Sequence, residues 1–329
     1  MAAYVIRRII LLIPTMLVVT VVVFLSVRFI PGNVVDMMIA QMGSSGGVTQ
    51  ATRQRLEQAL GLNVPLPIQY ARWMGFAPGA NGHFQGLLEG NLGTSLQSGQ
   101  SVATLLVQRL PVSLELALIA LVTAILTAIP IGIYSAIRQD TARDYAGRSV
   151  SIFFISVPSF WLGTMIMVYP AIWWRWSPSL EYIPLIKNFQ GNLLQFLIPG
   201  FLLGMALGGT LMRMMRTMML EVLRQDYVKT AWAKGLNERR VINRHVVKNA
   251  LIPVVTIVGI VLPIVLGGTV IIEQIFDLPG LGLLLFQALN FRDYPLISGI
   301  NLFLAAILIV SNLVVDISYA WLDPRIQYK

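Results

Sequence analysis

The sequence predicts an all-α membrane protein of six transmembrane helices, with both termini cytoplasmic and a small outer subdomain between helices 1 and 2. Three observations predict it. Hydrophobic residues make up 56% of the 329 positions and charged residues only 12%, too little charge to cover a soluble protein of this size. Six stretches free of Asp, Glu, Lys and Arg are long enough to cross the hydrocarbon core: Ile9–Val27, Leu116–Ile137, Ser149–Trp174, Asn188–Met212, Asn249–Ile272 and Tyr294–Val315. Lys and Arg are also unevenly placed. With the N-terminus inside, 16 of the 24 fall on the cytoplasmic side, although the outer loops hold more residues. The net charge of +9 therefore reports topology, and nucleic acid is not expected as a partner.

The first span, Ile9–Val27, follows Arg7-Arg8 and ends at Arg28-Phe-Ile-Pro-Gly32. It exceeds a signal-peptide apolar region and lacks a small-x-small cleavage site, so it is read as retained. The outer segment from Arg28 to Glu115 holds two short helical candidates, Thr49–Leu60 and Gln69–Met74, and a loop-like stretch, Phe76–Gln85. Arg138–Arg148 is a compact inner turn, and Arg175–Lys187 lies outside. In span four, Gly200, Gly204 and Gly208 recur every fourth residue. Close helix packing is the favoured reading of that pattern, with a gating helix as the alternative. Trp161, Trp173, Trp174 and Trp176 suit an interfacial belt. Asp277-Leu-Pro-Gly-Leu-Gly282 is a turn signal before a short apolar helix.

The large inner loop carries the main functional candidate. Asp226–Lys234 has no Pro or Gly, and Tyr227, Thr230, Ala231 and Lys234 recur at i, i+3, i+4 and i+7 on one face. Gly235 fits a left-handed stop before Leu236, and Asn237 can cap the next helix. Spacing alone leaves two readings open, a solvated basic loop beside headgroups and a docking helix. Charges at span ends are the second class of candidate. Glu115, Glu273 and Asp316 sit there. A structural or boundary role is the favoured reading of Glu115 and Asp316, with a translocation path or gate as the alternative. Glu273 is the better pore-mouth candidate, because Gly267-Gly268 lies just inside it.

Several segments, in order along the whole chain, resemble the B-type permease subunit of the dipeptide, oligopeptide and nickel ABC importers. They include Phe29-Ile-Pro-Gly32, Leu92-Gly-Thr-Ser95, Arg109-Leu-Pro-Val-Ser-Leu-Glu-Leu116 and Val157-Pro-Ser-Phe-Trp-Leu-Gly163. Asp226-Tyr-Val-Lys-Thr-Ala-x-Ala-Lys-Gly-Leu236, Lys248-Asn-Ala-Leu-Ile-Pro253, Leu278-Pro-Gly-Leu-Gly282, Arg292-Asp-Tyr-Pro295 and Asp323-Pro-Arg-Ile326 complete the set. The resemblance implies a type I ABC importer permease fold in the cytoplasmic (inner) membrane. Residues 1–108 would hold the first span and outer subdomain, 109–320 the permease core and 321–329 a cytoplasmic tail. It implies three kinds of partner besides the lipid bilayer: a second homologous permease subunit, two cytoplasmic ATPases and an extracytoplasmic solute-binding protein. The ATPases would grip Asp226, Tyr227, Thr230, Ala231, Lys234, Gly235 and Leu236. ATP and Mg would reside on those partners, with no cofactor or metal on this chain. Peptides lead the substrate classes implied, ahead of nickel chelates, glutathione and sugars. The chain departs from the family pattern at Asn33, Asn91, Leu283 and the apparent insertion Phe76–Gln85, all on the outer side.

Absences narrow the chemistry. No phosphate loop of the Gly-x-x-x-x-Gly-Lys-Ser/Thr type occurs, so the chain is not expected to hydrolyse ATP or to be an enzyme at all. No cysteine is present, and no His-Glu-x-x-His or Gly-x-Ser-x-Gly frames a catalytic site. An intramembrane protease and an independent secondary transporter are the competing readings. Neither has a catalytic motif or an ion relay to support it.

Overall fold

The computed structural model describes residues 2–29, 35–36, 39, 50–79, 82–179, 181–267 and 269–322. Asn33 and Gly268 lie outside them, as does the tail motif Asp323–Ile326. The described residues are helical, with a single isolated bridge between Thr94 and Ser101. In chain order the helices are α1 (Ala2–Arg28), α2 (Gln50–Ala59), α3 (Leu66–Met74), α4 (Val102–Ile137), α5 (Ala142–Ser156), α6 (Ser159–Trp174) and α7 (Phe189–Leu223). They continue as α8 (Asp226–Ala233), α9 (Glu238–Val241), α10 (Lys248–Gly267), α11 (Thr269–Phe276), α12 (Leu281–Asn290) and α13 (Tyr294–Leu322). A π-helical segment, Ile242–Val247, joins α9 to α10.

Five helices are long and apolar enough to cross a bilayer, and two bent pairs raise the number to as many as seven. The bends revise one expected element. Ser149–Trp174 is not one straight span, because α5 and α6 meet at 88°. The cause is local. Val157 precedes Pro158, which disfavours helical backbone, and Val157 is extended at φ −88°, ψ 121°. The second bend, 84°, separates α11 from α12 across the Leu278-Pro-Gly turn. Pro14, Pro111, Pro130, Pro170 and Pro199, in contrast, sit inside continuous helices. Neighbouring side chains and helices can absorb the carbonyls that these prolines free.

The chain forms two compact units: Met1–Leu110 with Leu284–Ile309, and Pro111–Leu283 with Val310–Lys329. In the first, Phe24 of α1 packs edge-on against Tyr70 of α3, at 5.4 Å between centroids, and Thr20 shares a 2.8 Å hydrogen bond with the Tyr70 hydroxyl. Gly75 ends α3 in the left-handed region at φ +95°. It abuts Gly86 so closely that a Cβ on Gly86 would lie 2.5 Å from Gly75 Cα. The Phe76–Gln85 stretch thus leaves and rejoins the subdomain at one point. Asn91, one of the departures, accepts from the Gly93 amide at 2.8 Å and so closes an Asx-type turn without a charge. Asp293 is buried at a second turn, where it accepts from Ser95 Oγ at 2.5 Å and from the Leu296 amide at 3.2 Å.

In the second unit α7 is the central element, packed by α5, α10 and α6. The glycine pattern serves packing here. A Cβ on Gly204 would lie 2.3 Å from Ala120 O, and one on Gly200 would lie 2.6 Å from Ile119 Cγ2, so α4 and α7 approach backbone to backbone. Gly209 touches α5 in the same way, and Ser151 Oγ donates to Gly209 O at 2.8 Å.

Candidate functional site

The inner-loop candidate is a formed helix on a packed base. α8 is flanked by Gln225 at its N-cap and Lys234 at its C-cap, and Gly235 adopts φ +74°, the left-handed conformation that its position predicts. Asn237 caps α9 through a 2.9 Å bond from the Arg240 amide. Val228 (0% exposed) and Ala231 (7%) point inward, onto a cluster with Met215, Met219, Val241, Ile242 and Val246. Tyr227, Thr230 and Lys234 face outward, together with Trp232. This corrects the expected face: Ala231 does not share it. A residue at i+4 is rotated about 40° from residue i on a helix. On so short an element that rotation is enough to carry Ala231 into the packed side.

Two further contacts tie α8 to its surroundings. Lys229 Nζ lies 2.8 Å from Asp226 Oδ1 and holds that carboxyl below its usual range, chiefly through the hydrogen bond. Asn249 at the start of α10 donates to the Tyr227 hydroxyl at 3.0 Å and to His245 O at 2.7 Å. The second bond reaches back into the π segment Ile242–Val247, a geometry that is rare and concentrated at functional sites. Leu236 is half-buried against the same cluster. Nothing in the sequence pattern marks the π segment.

The span-end charges separate by environment. Glu273 is fully buried. Its Oε1 accepts from Ser113 Oγ at 2.6 Å and its Oε2 from the Leu283 amide at 2.9 Å. The same Ser113 Oγ accepts from the Leu281 amide at 2.8 Å. The Pro-Gly-Leu-Gly turn wraps this carboxylate, since a Cβ on Gly280 would fall 2.4 Å from Glu273 Cδ. Gly267 is exposed, with open space where a Cβ would point. Glu115 Oε1 and Asn192 Oδ1 are both buried without a hydrogen-bond partner, on α4 and α7. Asp316 belongs to α13, outside the residues whose side chains are described.

One ionic site was missed by sequence reasoning. Asp144 on α5 is fully buried and receives the Arg216 guanidinium in a fork, Nε to Oδ1 at 2.8 Å and Nη2 to Oδ2 at 2.7 Å. The Asp140 amide also donates to it at 3.0 Å, and Ser135 of α4 donates to Oδ1. Three helices, α4, α5 and α7, meet at this one carboxylate. Among the described residues no group of three or more His, Asp or Glu side chains is placed to hold a metal.

The comparisons agree with this architecture along the whole chain. Residues 128–328 match the family described as binding-protein-dependent transport system inner membrane component, and residues 1–117 match its N-terminal companion. The chain is 36% identical over 331 residues to the oligopeptide transport system permease protein AppB of Bacillus subtilis (strain 168), covering all of both chains. It is 35% identical over 355 residues to the dipeptide transport system permease protein DppB of Alkalihalophilus pseudofirmus, again over the full length of both. A solved amino acid ABC transporter with histidines is 14% identical with a TM-score of 0.49, covering 68% of this chain and 95% of that one. The chain is a multi-pass, non-catalytic permease subunit and belongs to the family of binding-protein-dependent transport system inner membrane components.

Proposed function

We propose that this subunit forms half of the translocation pathway of an ATP-driven importer of di- and oligopeptides in the cytoplasmic membrane, with both termini inside. The names of the relatives support the peptide class. The observation that carries the coupling reading is α8 itself. It is a short helix whose inner edge, Val228 and Ala231, is locked to α7, α9 and the π segment, while Tyr227, Thr230 and Lys234 are exposed on its outward face. A cytoplasmic ATPase seats on that outward face, and its movement passes through the shared cluster into α10. One such permease subunit pairs with a homologous one, two ATPases carry ATP and Mg, and a solute-binding protein delivers cargo outside.

Thr230→Arg places bulk and charge at the centre of the outward face without touching the buried edge. Overpacking typically costs about 1–3 kcal/mol. Co-purification of the ATPases should therefore fall by about tenfold or more, and labelled dipeptide uptake should fall with it, while membrane insertion stays normal. Wild-type co-purification and uptake would remove α8 from the coupling scheme. The chain purified without partners should turn over no ATP.

The Phe76–Gln85 loop gives a second expectation. Because Gly75 and Gly86 already abut, deleting residues 76–85 joins ends that sit close to the roughly 3.8 Å spacing of consecutive Cα atoms. The shortened chain should insert normally and lose uptake, if the loop reaches the binding protein or its cargo. Uptake at the wild-type rate would take the loop out of the mechanism.

A further inference from the structure

The first unit encloses a cavity of about 290 Å³, open on one side. Arg28, Gln69, Arg72, Trp73, Asn91 and Tyr294 are among its lining residues, and none of the lining residues is Asp or Glu. Arg28 and Arg72 are half-buried and share one small cavity with no carboxylate among its described lining residues, and a partly desolvated cation gains from an anionic partner. Arg28 Nε and Nη2 both donate to Gln69 Oε1, at 3.2 and 3.1 Å, and its guanidinium stands 4.5 Å from the Phe24 ring centroid. Gln69 is itself fixed, since its Nε2 donates to Val64 O at 2.8 Å. Neutral groups alone therefore hold Arg28. The Arg72 Nε is buried without a hydrogen-bond partner. Gly61, at φ +65°, leaves the space beside Arg72 Nη1 open: a Cβ there would come no closer than 4.0 Å. Neither cavity arginine takes part in the ion pairs that Arg53, Arg216 and Lys229 make.

We infer that this cavity binds the C-terminal carboxylate of a short peptide between Arg28 and Arg72. The inference rests on the peptide reading of the transporter. A carboxylate offers two coplanar oxygens, which match the guanidinium fork, and it supplies the acceptor that Arg72 Nε lacks. The volume lies near the small end of ligand pockets, roughly 300–1,000 Å³. It suits one or two residues of a peptide and excludes a bulky solute. Trp73 and the leucines beside it give the peptide's last side chain an apolar wall. A lipid phosphate presents similar oxyanion chemistry, and the test separates the two sources.

The full-length chain is placed in phosphatidylcholine nanodiscs and titrated with alanyl-alanine and with its C-terminal amide, with binding read by saturation-transfer NMR. The free carboxylate should bind at least about tenfold tighter than the amide, the factor expected when one charge-assisted hydrogen bond is lost. Arg72→Gln should reduce free-acid binding to the level of the amide, and Arg72→Lys should restore part of it. Equal binding of acid and amide to the wild-type chain overturns the site without any variant having to fold. So does wild-type binding by Arg72→Gln. Loss of acid binding when phosphatidylglycerol replaces part of the phosphatidylcholine assigns the cavity to a lipid phosphate and overturns the peptide. No binding by a chain whose cells still import labelled peptide removes the site and leaves the transport reading intact. Binding without any peptide import does the reverse.

Discussion

Arg216→Met is expected to destabilise the purified chain by about 3–5 kcal/mol, the usual cost of removing one partner from a buried ion pair. The reason lies in what remains. Asp144 is fully buried, and without the fork it keeps only Ser135 and the Asp140 amide as donors. An uncompensated carboxylate would then sit where α4, α5 and α7 converge. The double variant Asp144→Leu/Arg216→Met removes both charges and should recover most of the loss, since well-packed apolar pairs often replace buried ion pairs without penalty. Thermal unfolding of the detergent-solubilised chain reads both effects. A single variant as stable as the wild type would show that the pair is solvated and does not join the three helices.

The second large effect is expected at the carboxylate cradle. Glu273→Ala strips the acceptor from the Leu283 amide and from the Ser113 hydroxyl, each buried, and an orphaned buried group costs about 1–3 kcal/mol. Gly280→Ala drives a methyl to within 2.4 Å of the Glu273 carboxylate, and Gly282→Ala drives one to 2.5 Å from the Val270 Cα. Both should destabilise by about 1–3 kcal/mol as overpacking does. Their behaviour on the Glu273→Ala background separates them. Gly280→Ala should then cost less, because its obstacle has gone. Gly282→Ala should keep most of its cost, because its nearest obstacle is the Val270 backbone and Glu273 Oε2 lies farther off at 3.0 Å. Strict additivity at Gly280 would contradict the cradle.

The apolar helices and the inner-loop helix were legible because each depends on local pattern. Apolar runs mark the spans, and the stop at Gly235 and the cap at Asn237 bound the inner helix. The misplacement of Ala231 has a physical source: periodicity identifies a face but cannot say which side of a short helix its neighbours cover. Val228 and Ala231 together make the inner edge, and the cluster that buries them is drawn from α7, α9 and the π segment. The bend at Val157-Pro158 was present in the residues as an X-Pro step, yet the unbroken apolar run masked it. The two buried carboxylates were harder still. Glu273 bonds Ser113 across 160 positions and Asp144 bonds Arg216 across 72, and neither partner announces the other. Arg143 and Arg148 beside Asp144 read as an ordinary charged turn. The cavity arginines drew no attention in the sequence, where Arg28 ends the first span and Arg72 lies in the helical candidate Gln69–Met74, because the cavity they share appears only when the two are brought together.

The contact of Gly75 with Gly86 makes residues 76–85 a detachable cassette. Both ends of the stretch are fixed to each other, so its contour length is uncoupled from the scaffold that carries it. Loop-closure entropy rises only logarithmically, by about 0.6 kcal/mol for each doubling of length. A segment twice as long could therefore occupy the same pinch with little loss of stability. The subdomain can vary what it displays at this point while α3 keeps its geometry. A cassette of that kind would also accept an inserted epitope, whose accessibility in intact cells would report which side of the membrane it faces.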